Sequence, residues 1–502
     1  MYIRKTKSRD STCFQIGHKV KGKFVLIKHV GCAMPADQIE VLRLKAEDEL
    51  LLYENQLSLF PSRLPMTTAK LTNWHITGFH SVFGCVYDNI GFPNNMLRDL
   101  VVARIAHPGS KLATTRYLDQ YLGIGYEKDT LYRFLDTLNK DELTRIAYDF
   151  VSKKDNGIAL IFYDVTTLYF EASETTNDED IRNKGFSKDH KNELLQIVVG
   201  LFVDRNGYPI DFDFYSGETF EGHTFPKAIK AITTKYQFTD LVIVADAGML
   251  SETNINFLET EKISYIVGAR LKGMSEKAKE PIFTHNFTQR PFYDETYTTK
   301  LVTGETITKR LIVDYSDKRA KKDEYSRNKI VESLKKKIKA RQSLIKKSKY
   351  LVVENQGEAT GIDQAKVELD KRHDGLKGYW TNLKDKTKPN EVIDQYHNLW
   401  QVEKAFRMSK GDLAERPIFH RIEKRIQAHL VLCFCSLLVM KETERIIKPT
   451  NISLTRTIEL LGKVGQGETR IGNVTFLIES ELSTEASTII QRIKKHQNSD
   501  RS

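Results

Sequence analysis

The sequence predicts an α/β fold, with an α+β mixed sheet covered by helices, and three observations lead to this class. Between residues 157 and 271, short runs rich in Val, Ile, Phe and Tyr alternate with amphipathic segments in the order β-β-β-α-β-α-β. The dipeptide Asn206-Gly207 separates the second and third runs, which is typical of a β-hairpin. From about Thr67 to Val151 the apolar residues recur at helical spacing, so a mostly helical region precedes the sheet.

Changes in pattern along the 502 residues predict six segments. They are a strand and helix region (1–60), a helical region (61–150), the first part of the sheet domain (151–271), an insertion of weaker regularity (272–375), the second part of the sheet domain (376–450) and a short helical tail with a disordered polar end (451–502). The insertion includes a Lys/Arg-rich helix around 328–347. Its basic side chains are equally consistent with a solvated face and with a DNA-contacting one.

The composition indicates what kind of partner the protein binds and in which cellular compartment it is found. Lys and Arg number 77 against 66 Asp and Glu, and the resulting formal charge of +11 favours a polyanionic partner, although plain solubility is the alternative. Five sparse cysteines without metal-ligand spacing argue against a secreted disulfide framework and indicate a reducing compartment. The N-terminus has no apolar secretory signal, and the longest apolar stretch, 428–440, is too short to span a bilayer and predicts a buried helix. We therefore expect a cytoplasmic protein with no membrane partner.

Three acidic residues stand out by position. Asp164 interrupts an apolar strand, and Asp246 lies where another apolar strand enters its turn. Burying a carboxylate costs several kcal/mol unless it is paired or binds a metal. Either aspartate alone can be explained by a turn cap or a lysine partner, whereas two together favour a shared cation. The third acid, Glu403, lies on a predicted helix that follows the N-cap Asn390 and stops at Gly411.

The helix that carries Glu403 has a specific pattern. Tyr396, Glu403 and Lys410 recur every seven residues and so share one face, and Arg407 is spaced to form an ion pair with Glu403. This helix resembles the Y-x2-R-x3-E-x6-K signature of DDE-type transposases from bacterial insertion sequences. Leu399 stands where that signature has arginine. The departure affects one expected phosphate or end-sequence contact and leaves the acidic residues intact.

The resemblance extends over nearly the whole chain. YDVTTLYFE around Asp164, VADAGMLS around Asp246 and the segment 182–201 are also similar to the family. The resemblance implies a ribonuclease-H-like catalytic domain with Asp164 on its first strand, Asp246 after its fourth strand and Glu403 on a late helix. It also implies an inserted domain between Asp246 and Glu403. The helical region 61–150, basic in places, takes the position of the DNA end-binding domain in relatives.

The family's activity is DNA cleavage at the ends of the insertion sequence, followed by transfer of the 3′-OH into target DNA. This implies two Mg²⁺ ions, with Mn²⁺ as a substitute, and Asp164, Asp246 and Glu403 as both catalytic and metal-binding residues. Asp164 would bridge the two ions. The implied partners are double-stranded DNA, as terminal inverted repeats and target, and a second copy of the chain in a DNA-bound homodimer at the bacterial nucleoid. The alternatives are a ribonuclease-H-like metal nuclease without strand transfer and a catalytically silent DNA-binding relative.

The resemblance also suggests DNA contacts near Glu403. Lys410 would hold a phosphate as a point charge. Tyr396 would orient the DNA strand or pack against the sheet, and Arg407 is as well placed for an ion pair as for DNA. For Trp380 and Trp400 we predict packing in the core over stacking on a flipped base.

Overall fold

The computed structural model describes thirteen stretches of the chain, and the following account concerns these alone: 1–8, 11–34, 36–53, 70–175, 180–187, 191–238, 240–249, 251–300, 304–339, 348–353, 359–384, 387–471 and 474–499. The chain forms two compact units. The smaller unit comprises Met1–Gly78, Asp119–Ile124 and Glu459–Ser487, and the larger unit comprises Phe79–Leu118, Gly125–Ile458 and Thr488–Ser502.

The strands and helices are numbered in chain order. The strands are β1 Tyr2–Ser8, β2 Ser11–Val20, β3 Lys23–Ala33, β4 Lys70–Ile76, β5 Leu160–Tyr169, β6 Gln196–Asp204, β7 Pro209–Ser216, β8 Val242–Ala245, β9 Ser264–Ala269, β10 Phe292–Lys300, β11 Thr306–Tyr315, β12 Leu351–Val353, β13 Ala359–Ile362, β14 Leu376–Thr381, β15 Gly465–Ile471 and β16 Val474–Glu479. The helices are α1 Ala36–Tyr53, α2 Cys85–Ile90, α3 Asn95–Ala106, α4 Lys111–Tyr117, α5 Lys128–Leu135, α6 Lys140–Asp155, α7 Glu221–Lys235, α8 Glu252–Thr260, α9 Glu276–Phe283, α10 Asp317–Lys339, α11 Gln364–Lys371, α12 Pro389–His397, α13 Trp400–Lys410, α14 Glu423–Ile447, α15 Leu454–Leu461 and α16 Thr484–Ser499.

An eight-stranded mixed sheet forms the centre of the larger unit. Its strand order is β10-β11-β14-β9-β8-β5-β6-β7, and β8 runs parallel to both β5 and β9 while the other neighbours are antiparallel. All nine residues of β6 are buried, as expected of a strand covered on both faces. The sheet confirms the predicted α/β class and the order from β5 to β9. Strands β10 and β11, from the region expected to be an insertion, extend this same sheet.

Helices cover both faces of the sheet. On one face, Tyr163 of β5 contacts α7, where its hydroxyl lies 3.0 Å from the Thr224 hydroxyl and its ring packs on Phe225. On the other face, Phe212 of β7 packs on Phe434 of α14 with 5.4 Å between ring centroids. Because side chains alternate along a strand, the residue next to Tyr163 points towards the face that carries α14.

Helix α14 contains the long apolar stretch and confirms the prediction of a buried helix. Every residue from Ala428 to Met440 is buried. Cys433 and Cys435 lie on it, and burial raises the pKa of the Cys433 thiol to about 11, so this thiol stays protonated and unreactive at neutral pH. Among the described helices, none is both long and apolar enough to span a bilayer.

The smaller unit contains two three-stranded antiparallel sheets, β1-β2-β3 and β16-β15-β4. The first agrees with the predicted N-terminal strands. The second corrects two expectations, because β4 lies in the segment expected to be helical and β15 and β16 lie in the tail expected to be helical. The reason is remote pairing: Gly465 of β15 is opposite Ile76 of β4, and local periodicity cannot register such a partner. Of the polar end expected to be disordered, the part up to Ser499 belongs to α16, and residues 500–502 lie outside the described residues.

A disulfide joins Cys13 and Cys32, which the sparse cysteine pattern did not predict. The two residues are direct cross-strand partners on β2 and β3. Directly opposite residues of an antiparallel pair bring their β-carbons close together, so this pairing follows from strand register. The spacing of the cysteines along the sequence carries no information about that register.

Shortening the side chain that α14 inserts against β7 should destabilise the larger unit. Phe434 is 4% exposed, and we expect Phe434→Ala to lower the free energy of unfolding by about 3–5 kcal/mol, since a buried ring is lost and a cavity remains. Urea unfolding followed by circular dichroism measures this. The control is Tyr325→Ala on α10, where the side chain is 68% exposed and the expected change is within about 0.5 kcal/mol. Equal effects of the two substitutions would contradict the packing described.

Candidate functional site

Asp164 and Asp246 are lateral neighbours in the central sheet. Tyr163 of β5 pairs with Ala245 of β8 in parallel register, and the two aspartates are the next residue along each chain. Neighbouring strands lie about 4.8 Å apart. Since Tyr163 points towards α7, Asp164 points to the opposite face, where α13 packs on β5. Asp164 is partly buried and Asp246 is exposed.

Tyr396 fixes the orientation of the Asp246 carboxylate. Its hydroxyl donates a hydrogen bond to Asp246 Oδ1 over 3.1 Å, and the backbone N–H of Ala247 donates to the same oxygen over 2.7 Å. Burial, reinforced by the Asp246 charge, raises the pKa of Tyr396 well above its usual value, so the phenol remains a donor throughout the physiological range. Tyr396 is only 5% exposed and packs against the sheet, which is one of the two roles that the sequence left open.

A glycine makes this contact sterically possible. A β-carbon added to Gly268 of β9 would lie 2.5 Å from the Tyr396 hydroxyl and 3.1 Å from the Ala247 backbone nitrogen. Any larger residue would therefore push the phenol away from Asp246. A glycine within an apolar strand indicates a close approach of some other group. The sequence alone does not show that this group is Tyr396 on the helix that lies across the strand.

The helix expected to run unbroken through Tyr396, Glu403 and Lys410 is two helices, which corrects the prediction. Helix α12 ends at His397 and α13 begins at Trp400. The Leu399 N–H donates to the Tyr396 carbonyl over 3.0 Å, which is the i→i−3 bond of a tighter turn. Because the helix is interrupted here, Tyr396 does not share one straight helix face with Glu403 and Lys410.

The start of this helical segment also differs from the prediction. The N-cap is Lys388 rather than Asn390, because Pro389 occupies the first helical position, where its fixed φ and missing N–H cost nothing. The predicted stop is confirmed, since Gly411 is the C-cap of α13.

Glu403 lies in the first turn of α13 and is exposed. Negative charge is favourable at this end of a helix. In the described part of the chain no ion pair joins Glu403 to Arg407, so the predicted helix-surface pair is wrong. Arg407 is itself exposed, and its charge acts on the Asp412 carboxylate instead.

A lysine that the sequence analysis missed links Asp246 with Glu403. Lys377 of β14 places its ammonium nitrogen 4.6 Å from the centre of the Tyr396 ring. Burial is the largest influence and lowers the pKa of Lys377, while the carboxylates of Asp314, Asp246 and Glu403 act in the opposite direction. Asp246 and Glu403 therefore lie within electrostatic range of one cation. There was little indication in the sequence that Lys377 belongs to the site, because this residue lies on a short, glycine-containing strand that we did not predict.

The remaining predicted residues lie at the far end of α13 and nearby. Lys410 is in the last turn, and its charge acts on the fully buried Glu415, whose pKa is raised mainly by burial. Trp380 packs in a core cluster beside Tyr297, as predicted. Trp400 is 47% exposed, which contradicts the predicted core packing, because the break before α13 places it at the start of a new helix.

The donor atoms suit a hard divalent cation. Asp164 and Asp246 bring two like-charged carboxylates together, an arrangement that a bound cation stabilises. Mg²⁺ prefers oxygen ligands and keeps several waters, so a small number of carboxylates is sufficient. In the part of the chain that the structure describes, no three His, Cys, Asp or Glu side chains lie close enough to hold one ion by themselves. The site is therefore a pair of carboxylates, one in the middle of β5 and one directly after β8, with Glu403 on the helix that packs on β5.

Comparisons with known proteins identify the family. The family model described as the transposase DDE domain matches residues 157–439. A solved piggyBac transposase synaptic complex with hairpin DNA is similar at 9% identity, covering 84% of this chain and 81% of its own, with a TM-score of 0.36. A Mos1 transposase paired-end complex with the left transposon end is similar at 13% identity, covering 31% and 48%, with a TM-score of 0.16. No curated protein matches the sequence significantly.

The family match spans more than half of the chain and includes the strands of Asp164 and Asp246 as well as the helix of Glu403. Members of this family generally use divalent metal ions. The chain belongs to the transposases that carry a DDE domain.

Proposed function

We propose that the protein is a DNA transposase of a bacterial insertion sequence, which cuts a phosphodiester bond at the element's ends and joins the freed 3′-hydroxyl to target DNA. The single observation that carries the proposal is the placement of Asp164 on β5 and of Asp246 directly after the parallel neighbour β8, with Glu403 on the helix that packs on β5. The DDE family implies a polynucleotidyl transferase and endonuclease. We extend this to a ribonuclease-H-like core that is formed by the strands β5 to β9.

Asp164, Asp246 and Glu403 would hold two Mg²⁺ ions, or Mn²⁺ in their place. Bound divalent ions activate the attacking oxygen, stabilise the leaving oxygen and neutralise charge on the phosphoryl group. Asp164 lies centrally because it belongs to β5, the strand that contacts both β8 and α13. The Tyr396 hydroxyl holds the Asp246 carboxylate in one orientation, as hydrogen-bonded partners of metal-binding carboxylates commonly do.

The two proposed chemical steps balance without any nucleotide cofactor. In the first, a water oxygen bonds to phosphorus, the bond from phosphorus to the 3′-oxygen breaks and the 3′-oxygen takes up a proton. In the second, that 3′-oxygen bonds to a phosphorus of target DNA and displaces the target's own 3′-oxygen. One phosphodiester is exchanged for another, so the protein's residues have to position and neutralise charge rather than supply a nucleophile.

The DNA partners belong to the same proposal. Lys410 and Arg407, in the last turn of α13, would contact phosphates near the cut, and the formal charge of +11 would favour binding of the duplex. Region 61–150 would recognise the terminal inverted repeats, and a homodimer would hold two ends in the DNA complex. We place the protein in the bacterial cytoplasm, at the nucleoid when it is bound to DNA.

Removing any one of the three carboxylates should abolish cleavage. We expect Asp164→Asn, Asp246→Asn and Glu403→Gln each to lower the rate of end cleavage by at least about 10³-fold, since each loses a negatively charged ligand. The assay uses labelled duplex DNA that carries the inverted repeats flanking the gene, with Mg²⁺ or Mn²⁺. The matched control is Glu391→Gln, an exposed acid of α12, which should cut normally. Cleavage that survives in any of the three variants removes that residue from the site.

Strand transfer distinguishes a transposase from a plain nuclease. Supplied with pre-cut ends and a supercoiled plasmid, the wild-type protein should form joined products in which an end is covalently attached to plasmid DNA. Gel analysis and sequencing of the junctions measure this. Cutting without joined product would instead identify a metal nuclease of similar fold, and DNA binding without either activity would identify a catalytically silent relative.

Removing the Tyr396 hydroxyl should weaken metal binding while leaving the fold intact. We expect Tyr396→Phe to reduce affinity for Mn²⁺, measured by isothermal titration, by roughly 10–100-fold, because Asp246 loses its orienting donor. Tyr325→Phe, which alters an exposed phenol, should have no effect. Equal affinities in the wild type and Tyr396→Phe would show that the hydrogen bond has no part in the site.

A further inference from the structure

A basic cleft of about 660 Å³ lies between α10 and the adjoining ends of β9 and β14. Its charged lining consists of six cations and three aspartates: Arg270, Lys272, Arg319, Arg327, Lys349, Lys377, Asp323, Asp370 and Asp374. The cations outnumber the acids two to one, so the cleft carries a positive excess, and its volume is in the range of ordinary ligand sites.

Two aspartates of the cleft, Asp370 and Asp374, form close ion pairs with three of these cations. Asp370 lies 2.5 Å from the Lys272 nitrogen and 2.9 Å from that of Lys349. Asp374 pairs with Arg327. Positive charge on these three side chains is therefore largely compensated within the cleft wall.

Most of the positive excess lies on the other three cations, Arg319, Arg270 and Lys377, near which Asp323 is the only aspartate of the described cleft lining. Asp323 accepts a hydrogen bond from the Gly375 N–H over 3.2 Å and is 3.7 Å from Arg319, which is a loose pair. Arg270 bonds backbone carbonyls, and no carboxylate of the described residues lies within ion-pair distance of Arg270 or of Lys377. A phosphate entering the cleft would meet Arg270 and Lys377, which have no direct ion pair within the described part of the chain, and Arg319, whose pair with Asp323 is loose.

Two residues of the cleft wall contact the neighbours of Asp246. Arg270 donates to the carbonyls of Ala247 over 2.9 Å and Gly248 over 3.3 Å, the two residues that follow Asp246. On the other side, the Lys377 ammonium lies 4.6 Å from the centre of the Tyr396 ring, whose hydroxyl bonds Asp246. A chain of direct contacts therefore runs from the cleft wall to Asp246 on both sides.

Helix α10 presents a defined face to the cleft. Its lining positions are 319, 323, 326, 327 and 330, which is the spacing of one helical face. The remaining lysines of α10 are exposed elsewhere on the helix. The Lys/Arg-rich helix predicted around 328–347 coincides with α10 only as far as Lys339, and residues 340–347 lie outside the described residues. The cleft is lined mainly by the first half of α10, whereas the lysines from 328 to 339 are exposed.

We propose that this cleft binds the phosphodiester backbone of a DNA strand that continues past the scissile phosphate, with Arg319 and Lys377 as its phosphate contacts. The inference rests on the proposed function for the position of the scissile phosphate. Arg270 shapes the entrance, since its hydrogen bonds to residues 247 and 248 tie the cleft wall to the turn after Asp246. Arg319 can bind two oxygens of a phosphate through its planar guanidinium, whereas Lys377 acts as a point charge beside the carboxylates.

The salt dependence of binding tests the cleft without requiring catalysis. The probe is a fluorescein-labelled duplex that carries the terminal inverted repeat with about 20 base pairs of flanking DNA, in Ca²⁺ to prevent cutting. For Arg319→Gln and for Lys377→Gln we expect Kd to rise roughly tenfold and the slope of log K against log salt to fall in magnitude by about 0.9, one phosphate contact each. Arg372→Gln is the matched control, because this exposed arginine pairs with Glu280 at 2.9 Å outside the cleft.

Uncharged phosphate analogues in the DNA show which phosphates contact the cleft. Single methylphosphonates are placed at successive positions on either side of the cut. Those that weaken wild-type binding but add nothing to Arg319→Gln mark the phosphates that the cleft holds, as in a double-mutant cycle. The Arg319 side chain is 45% exposed, so Arg319→Gln should keep the wild-type melting temperature and decides the question even if Lys377→Gln fails to fold.

The outcomes separate the cleft from the proposed function. Unchanged Kd and slope in Arg319→Gln, with wild-type protein that cuts the same DNA, overturn the cleft and leave the transposase assignment standing. Wild-type protein that never cuts, with the expected change in slope, supports the cleft as a DNA site and counts against the proposed activity. A slope change for Arg372→Gln equal to that for Arg319→Gln also overturns the proposal, since it would reflect surface charge alone.

Discussion

The parallel pairing of β5 with β8 is the constraint on which the candidate site depends. It sets Asp164 and Asp246 side by side where β8 ends next to the middle of β5, although a hairpin and a helix separate them in the sequence. Like charges on neighbouring strands repel one another, and a shared divalent cation, as proposed for this site, would offset that repulsion.

The neighbouring helices and strands position the other residues of the site around Asp164 and Asp246. Helix α12 lays Tyr396 over the end of β8, and Gly268 leaves room for the phenol to reach Asp246. The break between α12 and α13 then turns the second helix so that it packs on β5 and carries Glu403 at its first turn. Strand β14, next to β9, brings Lys377 to the same site. Parts of the chain more than 200 residues apart thus meet around Asp164 and Asp246.

The sequence predicted those features of the fold that depend on local patterns of apolar and polar residues. The order from β5 to β9 and the buried helix α14 followed from apolar runs, because each is long and its period is clear. The placement of Asp164 and Asp246 at strand positions followed as well. What failed depended on distant partners: β15 pairs with β4 across the length of the chain, and Cys13 meets Cys32 only through strand register. The hydrogen bond from Tyr396 to Asp246 and the position of Lys377 could not be predicted for the same reason, since each joins elements far apart in sequence.

The most direct test of the account is a crystal structure of the wild-type protein soaked in Mn²⁺, with anomalous diffraction used to locate the ions. The account predicts an anomalous peak between the Asp164 and Asp246 carboxylates, with a second, adjacent peak near Glu403, and loss of the first peak in Asp246→Asn. Anomalous peaks only elsewhere on the protein, with the Asp164 and Asp246 carboxylates bare at saturating Mn²⁺, would contradict it.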